Sequence, residues 1–226
     1  MSFADHRVAL FDLDGTLVDS VPLIVASYQH ALTTVLGRPG DEAVVRSWIG
    51  RPLIDAFVEV SPERAQELFD CYSAWNLAHT AESLRAFPGV AELLTDLVAD
   101  GVRVGVATSK RRSSADLALR VGGLDGLVKV EAALEDTTEH KPAAAPIHLA
   151  LARLGSSPAH AVYVGDAVVD IHAARAAGCG AIAVTWGAAS RDELVAAGPD
   201  VLVDDLAGLR AALRSALLVP AGDLRS

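Results

Sequence analysis

The chain reads as an α/β protein: a doubly wound parallel sheet, Rossmann-like in its alternation, interrupted by one inserted all-helical segment. Three observations predict this. From Pro88 onward, short apolar runs alternate with amphipathic helical stretches. An apolar run at Val8 to Phe11 ends abruptly in Asp-Leu-Asp-Gly. Between these, from about Val21 to Thr80, the periodicity is helical throughout. Buried strands alternating with helices give a parallel sheet covered on both faces. In such sheets ligands bind beyond the carboxyl ends of the strands.

In chain order, Val8 to Phe11 is the first buried strand. Ile24, Tyr28, Ala31, Leu32 and Val35 fall at helical spacing, and Gly37 with Pro39 ends that run. Asp41 caps a short helix reaching Trp48, and Gly50-Arg51-Pro52 is a break. Ser61-Pro62 is a cap followed by a first-turn proline, opening a helix striped by Ala65, Leu68, Phe69 and Tyr72. Residues 20–82 are expected to form a helical cap, and residues 1–19 with 83–226 the α/β core. The core continues with a helix through Val90, Leu93, Leu94 and Leu97, a strand from Val102 to Ala107, a helix from Ser113 to Val121 and a weaker strand near Leu127 to Val130. Then come a helix from Pro146 to Leu154, a strand from Ala161 to Val164, a helix ending at Gly178 and a strand from Ala181 to Val184. Ser190 with Glu193 makes a capping-box signal; Val201 to Val203 is the last strand and Leu206, Leu209 and Leu213 mark the last helix. Val219 to Ser226 is expected to fray.

Composition narrows the classes. The chain has 226 residues, 51% of them hydrophobic, enough for a sizeable core. Its formal net charge of −10 argues against nucleic acid or an anionic membrane as partner. Two cysteines, Cys71 and Cys179, stand far apart in no metal-binding spacing, which suits free thiols in a reducing cytoplasm. The N-terminal residues reach Asp12 before any long apolar segment, so no signal peptide is expected, and no run has the length of a membrane span.

Polar groups gather at the predicted strand ends. Asp12 and Asp14 follow the first strand; residues two apart on a strand share a face, and two crowded carboxylates call for a divalent cation or a raised pKa. An acidic turn is the plainer reading of Asp-x-Asp-Gly taken alone. Thr108, Ser109 and Lys110 follow the strand ending at Ala107, where they also read as a helix cap. Lys141 precedes a helix in His140-Lys141-Pro142, and Asp166 ends a strand with Asp170 one turn on. Each is ordinary alone; together, in this order, they compose a phosphate-ester site. A carboxylate nucleophile approaches an anionic phosphoryl group only when a cation removes the repulsion. A lysine and hydroxyl or amide donors then hold the remaining oxygens. The sequence has three lysines, Lys110, Lys129 and Lys141, so the cationic choice is narrow.

LFDLDGTLVDS, VATSK, EHKP and YVGDAVVDIHAARAAG resemble, in order, the four motifs of the haloacid dehalogenase-like hydrolase superfamily. The helical insert after the first motif resembles its subgroup of phosphoglycolate phosphatases, pyrophosphatases and β-phosphoglucomutases, and VTWG, Val184 to Gly187, resembles the first two. The resemblance implies a Mg²⁺-dependent phosphatase acting on a small phosphate ester or pyrophosphate. Asp12 would be the nucleophile and Asp14 the acid–base. Asp12, the Asp14 carbonyl and Asp166 would hold the metal, with Asp170 supporting it. Thr108, Lys141, Ser109 and Gly15 would hold the phosphate. Arg51, in the cap loop, either meets a second anionic group of the substrate or is solvated. Ala167 replaces a frequent Ser, and Ala143 to Ala145 replace a frequent Asp-containing stretch. The segment from Val21 to Thr80 has no lysine for a Schiff base, which excludes phosphonoacetaldehyde hydrolase chemistry. Ile24, where mutases place a His, favours hydrolysis over mutation, and Asp14 excludes dehalogenases. The alternatives are a sugar-phosphate phosphatase or phosphomutase of the same superfamily, and a non-catalytic phosphate-ligand binding protein.

Overall fold

The structure, a computed structural model, describes residues 7–218. The expected fraying of Val219 to Ser226 falls outside them. Six strands form one parallel sheet: β1 (Val8–Phe11), β4 (Arg103–Ala107), β5 (Val130–Ala132), β6 (Ala161–Gly165), β7 (Gly180–Val184) and β8 (Val201–Val203), in the order β5-β4-β1-β6-β7-β8. β1 is central, with Leu10 in register with Gly105 on one side and Tyr163 on the other. Its side chains alternate between two cores. Ala9 and Phe11 join Leu94, Val106, Val164 and Leu213 on one face, while Val8 and Leu10 join Ile147, Tyr163 and Ile171 on the other. Two covered faces explain why β1 is continuously apolar.

Between the two-residue strands β2 (Val18–Asp19) and β3 (Arg85–Ala86), which pair antiparallel, the chain holds helices only. They are α1 (Val21–Leu36), α2 (Glu42–Ser47), α3 (Leu53–Val60) and α4 (Ala65–Ser83). They enclose a core of their own, with the Tyr28 ring 5.3 Å from those of Trp48 and Phe57 and 4.8 Å from that of Tyr72. Gly37 ends α1 in the left-handed conformation, at φ 74°. Asp41 Oδ1 caps α2, accepting from the Ala43 and Val44 amides at 2.9 and 3.1 Å. The other helices are α5 (Val90–Ala99), α6 (Arg112–Val121), α7 (Ala145–Arg153), α8 (Val168–Ala177), α9 (Arg191–Ala197) and α10 (Leu206–Leu218).

Two local expectations are corrected, and one element was not anticipated. β5 lies a few residues later than the run from Leu127 to Val130. Leu127 belongs to the turn closed by its amide on the Leu124 carbonyl, and the ladder is formed by Val130 and Ala132 across an irregularity in β4. Ser61 does not cap α4. A 3₁₀ turn from Pro62 to Arg64 intervenes, and the Ser61 hydroxyl donates to Glu63 at 2.6 Å. The β2–β3 ribbon was not foreseen, because two-residue strands leave no periodicity to read.

Candidate active site

The parallel sheet directs the carboxyl ends of β1, β4 and β6 to one edge, and Asp12, Thr108 and Asp166 leave directly from those ends. Asp12 is fixed by its amide, which donates to the Val164 carbonyl at 2.8 Å. Asp166 follows β6 directly, and Asp170 sits in the first turn of α8. One carboxylate oxygen from each of Asp12, Asp166 and Asp170 lies within 4.8 Å of the others, and all three residues are buried.

Lys141 is the counter-charge. Its Nζ lies 2.9 Å from Asp12 Oδ1 and donates to Asp170 Oδ1 at 2.6 Å and to the Tyr163 hydroxyl at 3.2 Å. The Asp12 contact is an ion pair without hydrogen-bond alignment, so Asp12 Oδ1 remains a buried oxygen with no hydrogen-bond donor. Burial pushes the Asp12 carboxyl up to about 7; Lys141 opposes that and Asp170 adds to it. Burial, then Asp170 and Asp12, hold Asp166 well above the usual carboxylate range, against the amide of Ala188 and the hydroxyl of Thr16. Burial alone would lower the Lys141 pKa, but Asp12 and Asp170 outweigh it and hold the ammonium well above its ordinary pKa.

Three buried acids against one ammonium cannot all ionise without a further positive charge. Hard oxygen donors at this spacing, with one oxygen lacking a donor, fit a divalent cation such as Mg²⁺. The shape of the cradle agrees. A Cβ on Gly15, at φ +78°, would stand 2.3 Å from Asp166 Oδ2, and one on Gly187 would stand 2.2 Å from it. Only the absence of side chains lets both backbones close on that carboxylate. Thr16 Oγ1 donates to Asp166 Oδ1 at 2.7 Å and the Ala188 amide to Oδ2 at 2.7 Å.

Asp14 stands apart from this trio. Both its oxygens accept from Lys110 Nζ at 3.0 Å. Thr108 is buried beyond β4, its Oγ1 accepting from the Lys110 amide at 3.1 Å. The Ser109 hydroxyl donates to the Gly50 carbonyl at 2.8 Å, joining the helical segment to the sheet edge. Arg51 lines the same cleft but its guanidinium is paired with Glu59. The substitution at Ala167 leaves Asp170 anchored, since Asp170 Oδ2 accepts from the Ala167 amide at 3.0 Å. Ala145 opens α7, so the alanines after Lys141-Pro142 lead into that helix.

Four contributors were missed in the sequence. Tyr163, fully buried, donates to the Ala107 carbonyl at 2.7 Å and meets Lys141; its only signal was its place on the strand that ends at Asp166. Thr16 sat unremarked inside Asp-Gly-Thr. The Ala188 amide has no side-chain signature. Ser20, the last residue of LFDLDGTLVDS, was given no role, yet it is buried in the cleft wall.

The model of the haloacid dehalogenase-like hydrolase family matches residues 9–184. The chain belongs to the haloacid dehalogenase-like hydrolases. Among its relatives, pyrophosphatase PpaX of Bacillus velezensis is 33% identical over 207 residues, covering 91% of this chain and 96% of that protein. PpaX of Anoxybacillus flavithermus is 33% identical over 200 residues, 88% and 93% of the two chains. A predicted phosphatase of Clostridium acetobutylicum superposes with a TM-score of 0.83 at 26% identity, over 94% of this chain and all of the other. A predicted phosphoglycolate phosphatase of Haemophilus somnus gives 0.81 at 27% identity, over 92% and 98%. As a haloacid dehalogenase-like hydrolase with these relatives, the protein is an enzyme, a phosphatase. Among the described residues no helix is long and apolar enough to cross a membrane, and both cysteines are free.

Proposed function

We propose that the protein is a Mg²⁺-dependent phosphatase that hydrolyses a small phosphorylated metabolite, phosphoglycolate-like or pyrophosphate, through an aspartyl phosphate. The observation that carries this is the meeting of Asp12, Asp166 and Asp170 with Lys141 at one sheet edge. The metal would be held by the Asp12 and Asp166 carboxylates and the Asp14 carbonyl, with Asp170 supporting. Bound there, Mg²⁺ would supply positive charge between carboxylate and phosphoryl oxygens.

The chain's own groups do the rest. An Asp12 oxygen attacks phosphorus as the bond to the leaving oxygen breaks, and Asp14 gives that oxygen its proton. Asp14, again a carboxylate, then takes a proton from the water that attacks the aspartyl phosphate, releasing phosphate and restoring Asp12. Thr108, Lys141, Ser109 and Gly15 hold the phosphoryl oxygens in both steps. Residues 20–82 act as a cap over the core formed by 1–19 and 83–226, hinged near Asp19 to Val21 and Glu82 to Pro88, and closure excludes bulk water. The unpaired thiols suit a cytoplasmic setting.

Phosphate release from p-nitrophenyl phosphate, pyrophosphate and phosphoglycolate, with Mg²⁺ and with EDTA, tests this reading. Metal-dependent release that vanishes in Asp12→Asn is expected. Turnover retained in that variant contradicts the covalent route, and no release from any ester supports a ligand-binding role instead.

A further inference from the structure

Tyr163 stands in β6 with Leu10 and Ala181 in register on either side, fully buried in an apolar layer. A phenylalanine would fill that place as well, so packing does not explain the hydroxyl. A hydroxyl taken out of water costs free energy unless it finds partners. This one donates to the Ala107 carbonyl at 2.7 Å and accepts from Lys141 Nζ at 3.2 Å, with Asp170 Oδ1 3.4 Å away. A phenol carries one proton. The shorter contact, to the Ala107 carbonyl, takes it, and the oxygen is left to accept from Lys141.

Lys141 needs such an anchor. It lies on the connection between β5 and α7, in neither a strand nor a helix. Its ammonium carries three donors on a flexible four-carbon stem. Asp170 Oδ1 takes one at 2.6 Å, and the Tyr163 hydroxyl takes a second. A single acceptor would let the ammonium turn about that bond; two acceptors fix it. The third N–H then has one defined direction. No aligned acceptor among the described residues meets it, because the contact with Asp12 Oδ1 at 2.9 Å is an ion pair that leaves that oxygen without a donor. The ammonium also lies over the Tyr163 ring, 5.7 Å from its centroid. On its other side the hydroxyl holds the carbonyl of the residue just before Thr108. It thereby joins the two segments whose side chains, Thr108 and Lys141, are proposed to hold the phosphoryl group.

We infer that Tyr163 is a positioning residue, whose hydroxyl fixes the Lys141 ammonium so that its third N–H meets a phosphoryl oxygen. Tyr163 touches neither phosphate nor metal; it acts through Lys141, from a rigid strand onto a residue of a connecting segment. The inference rests on the reading of Lys141 as a phosphate-holding group.

The experiment uses the full chain with Mg²⁺, p-nitrophenyl phosphate as substrate and inorganic phosphate as competing product. Tyr163→Phe keeps the ring and removes the hydroxyl. It is expected to lower kcat and to raise the inhibition constant of phosphate, each by about 10–100-fold, the scale of a misplaced catalytic group. The Mg²⁺ concentration for half-maximal rate is expected to stay as in wild type. A merely structural loss would weaken metal and phosphate together, since Asp12, Asp170 and Lys141 share one centre. Wild-type kinetics in folded Tyr163→Phe, or an equal loss of Mg²⁺ affinity, overturns the inference. Should that variant fail to fold, wild type decides. With the lysines ¹⁵N-labelled, the ammonium signal that is missing from Lys141→Met is expected to keep its cross-relaxation with the Tyr163 ring protons when Mg²⁺ and phosphate are added, and its loss overturns the inference. Phosphate inhibition unchanged in Lys141→Met overturns the underlying reading of Lys141. Inhibition weakened in Lys141→Met but not in Tyr163→Phe overturns the inference alone.

Discussion

The ammonium of Lys110 donates to both carboxylate oxygens of Asp14, at 3.0 Å each. The two residues leave different strands, so the pair fixes the proposed acid–base group across the mouth of the site. Asp14→Asn is expected to lower kcat by about 10²–10⁴, the usual range for general acid–base catalysis. Lys110→Met is expected to lower it by about tenfold, since it removes orientation and not the proton carrier. The double variant then loses no more than Asp14→Asn alone, because the lysine acts through the aspartate. Steady-state kinetics on the four proteins check this.

Lys141 is buried between Asp12 and Asp170. Lys141→Met leaves both acids without their ammonium in a low-dielectric place. Breaking a buried ion pair from one side typically costs about 3–5 kcal/mol. Urea denaturation in EDTA is expected to show a loss of that order, and a smaller loss when Mg²⁺ is present.

The Asp12 and Asp166 carboxyls are expected to take stability from the metal-free protein as pH rises from about 4 to 7. Asp12 is raised from 3.8 to about 7 in the folded chain, and Asp166 moves the same way. Over that interval the folded state keeps a proton that the unfolded chain has released, so deprotonation favours unfolding. The penalty is absent below the unfolded pKa and complete above the folded one. A cation at the three carboxylates removes it. The Mg²⁺-induced rise in melting temperature is therefore expected to be larger at pH 8 than at pH 5, and an equal rise at both would contradict the crowding of these acids.

Gly187→Ala places a methyl group where a Cβ would stand 2.2 Å from Asp166 Oδ2. The carboxylate must turn away, also losing its bonds from Thr16 and Ala188. Changes that misorient a metal ligand typically cost about 10–100-fold in metal affinity. Calorimetric Mg²⁺ titration is expected to show that loss.

The helical segment is tied to the sheet edge by the hydroxyl of Ser109 on the Gly50 carbonyl, at 2.8 Å. Ser109→Ala removes that tie. Weaker closure is expected to raise KM by about threefold to tenfold, in line with one net hydrogen bond of about 1 kcal/mol. Crystals with and without a phosphate mimic are expected to differ in cap position.

What the sequence determined by itself was the α/β alternation and the order of its chemistry. Strands buried on both faces must be continuously apolar, so β1, β4, β6 and β7 announced themselves, and polar residues at their ends marked one edge. Asp12, Thr108 and Asp166 stood out for that reason, Lys141 as one of three lysines placed just before a helix, and Asp170 as the acid one turn beyond Asp166. Shorter elements such as the β2–β3 ribbon were not legible, because two residues carry no period. Tertiary structure alone decided the pairings: Asp14 with Lys110, Asp170 with Lys141, Tyr163 beneath that lysine, Thr16 and Ala188 on Asp166, and Arg51 with Glu59. Such contacts join residues far apart along the chain. Carboxylates and lysines look alike in sequence, and distance and burial choose which charge answers which.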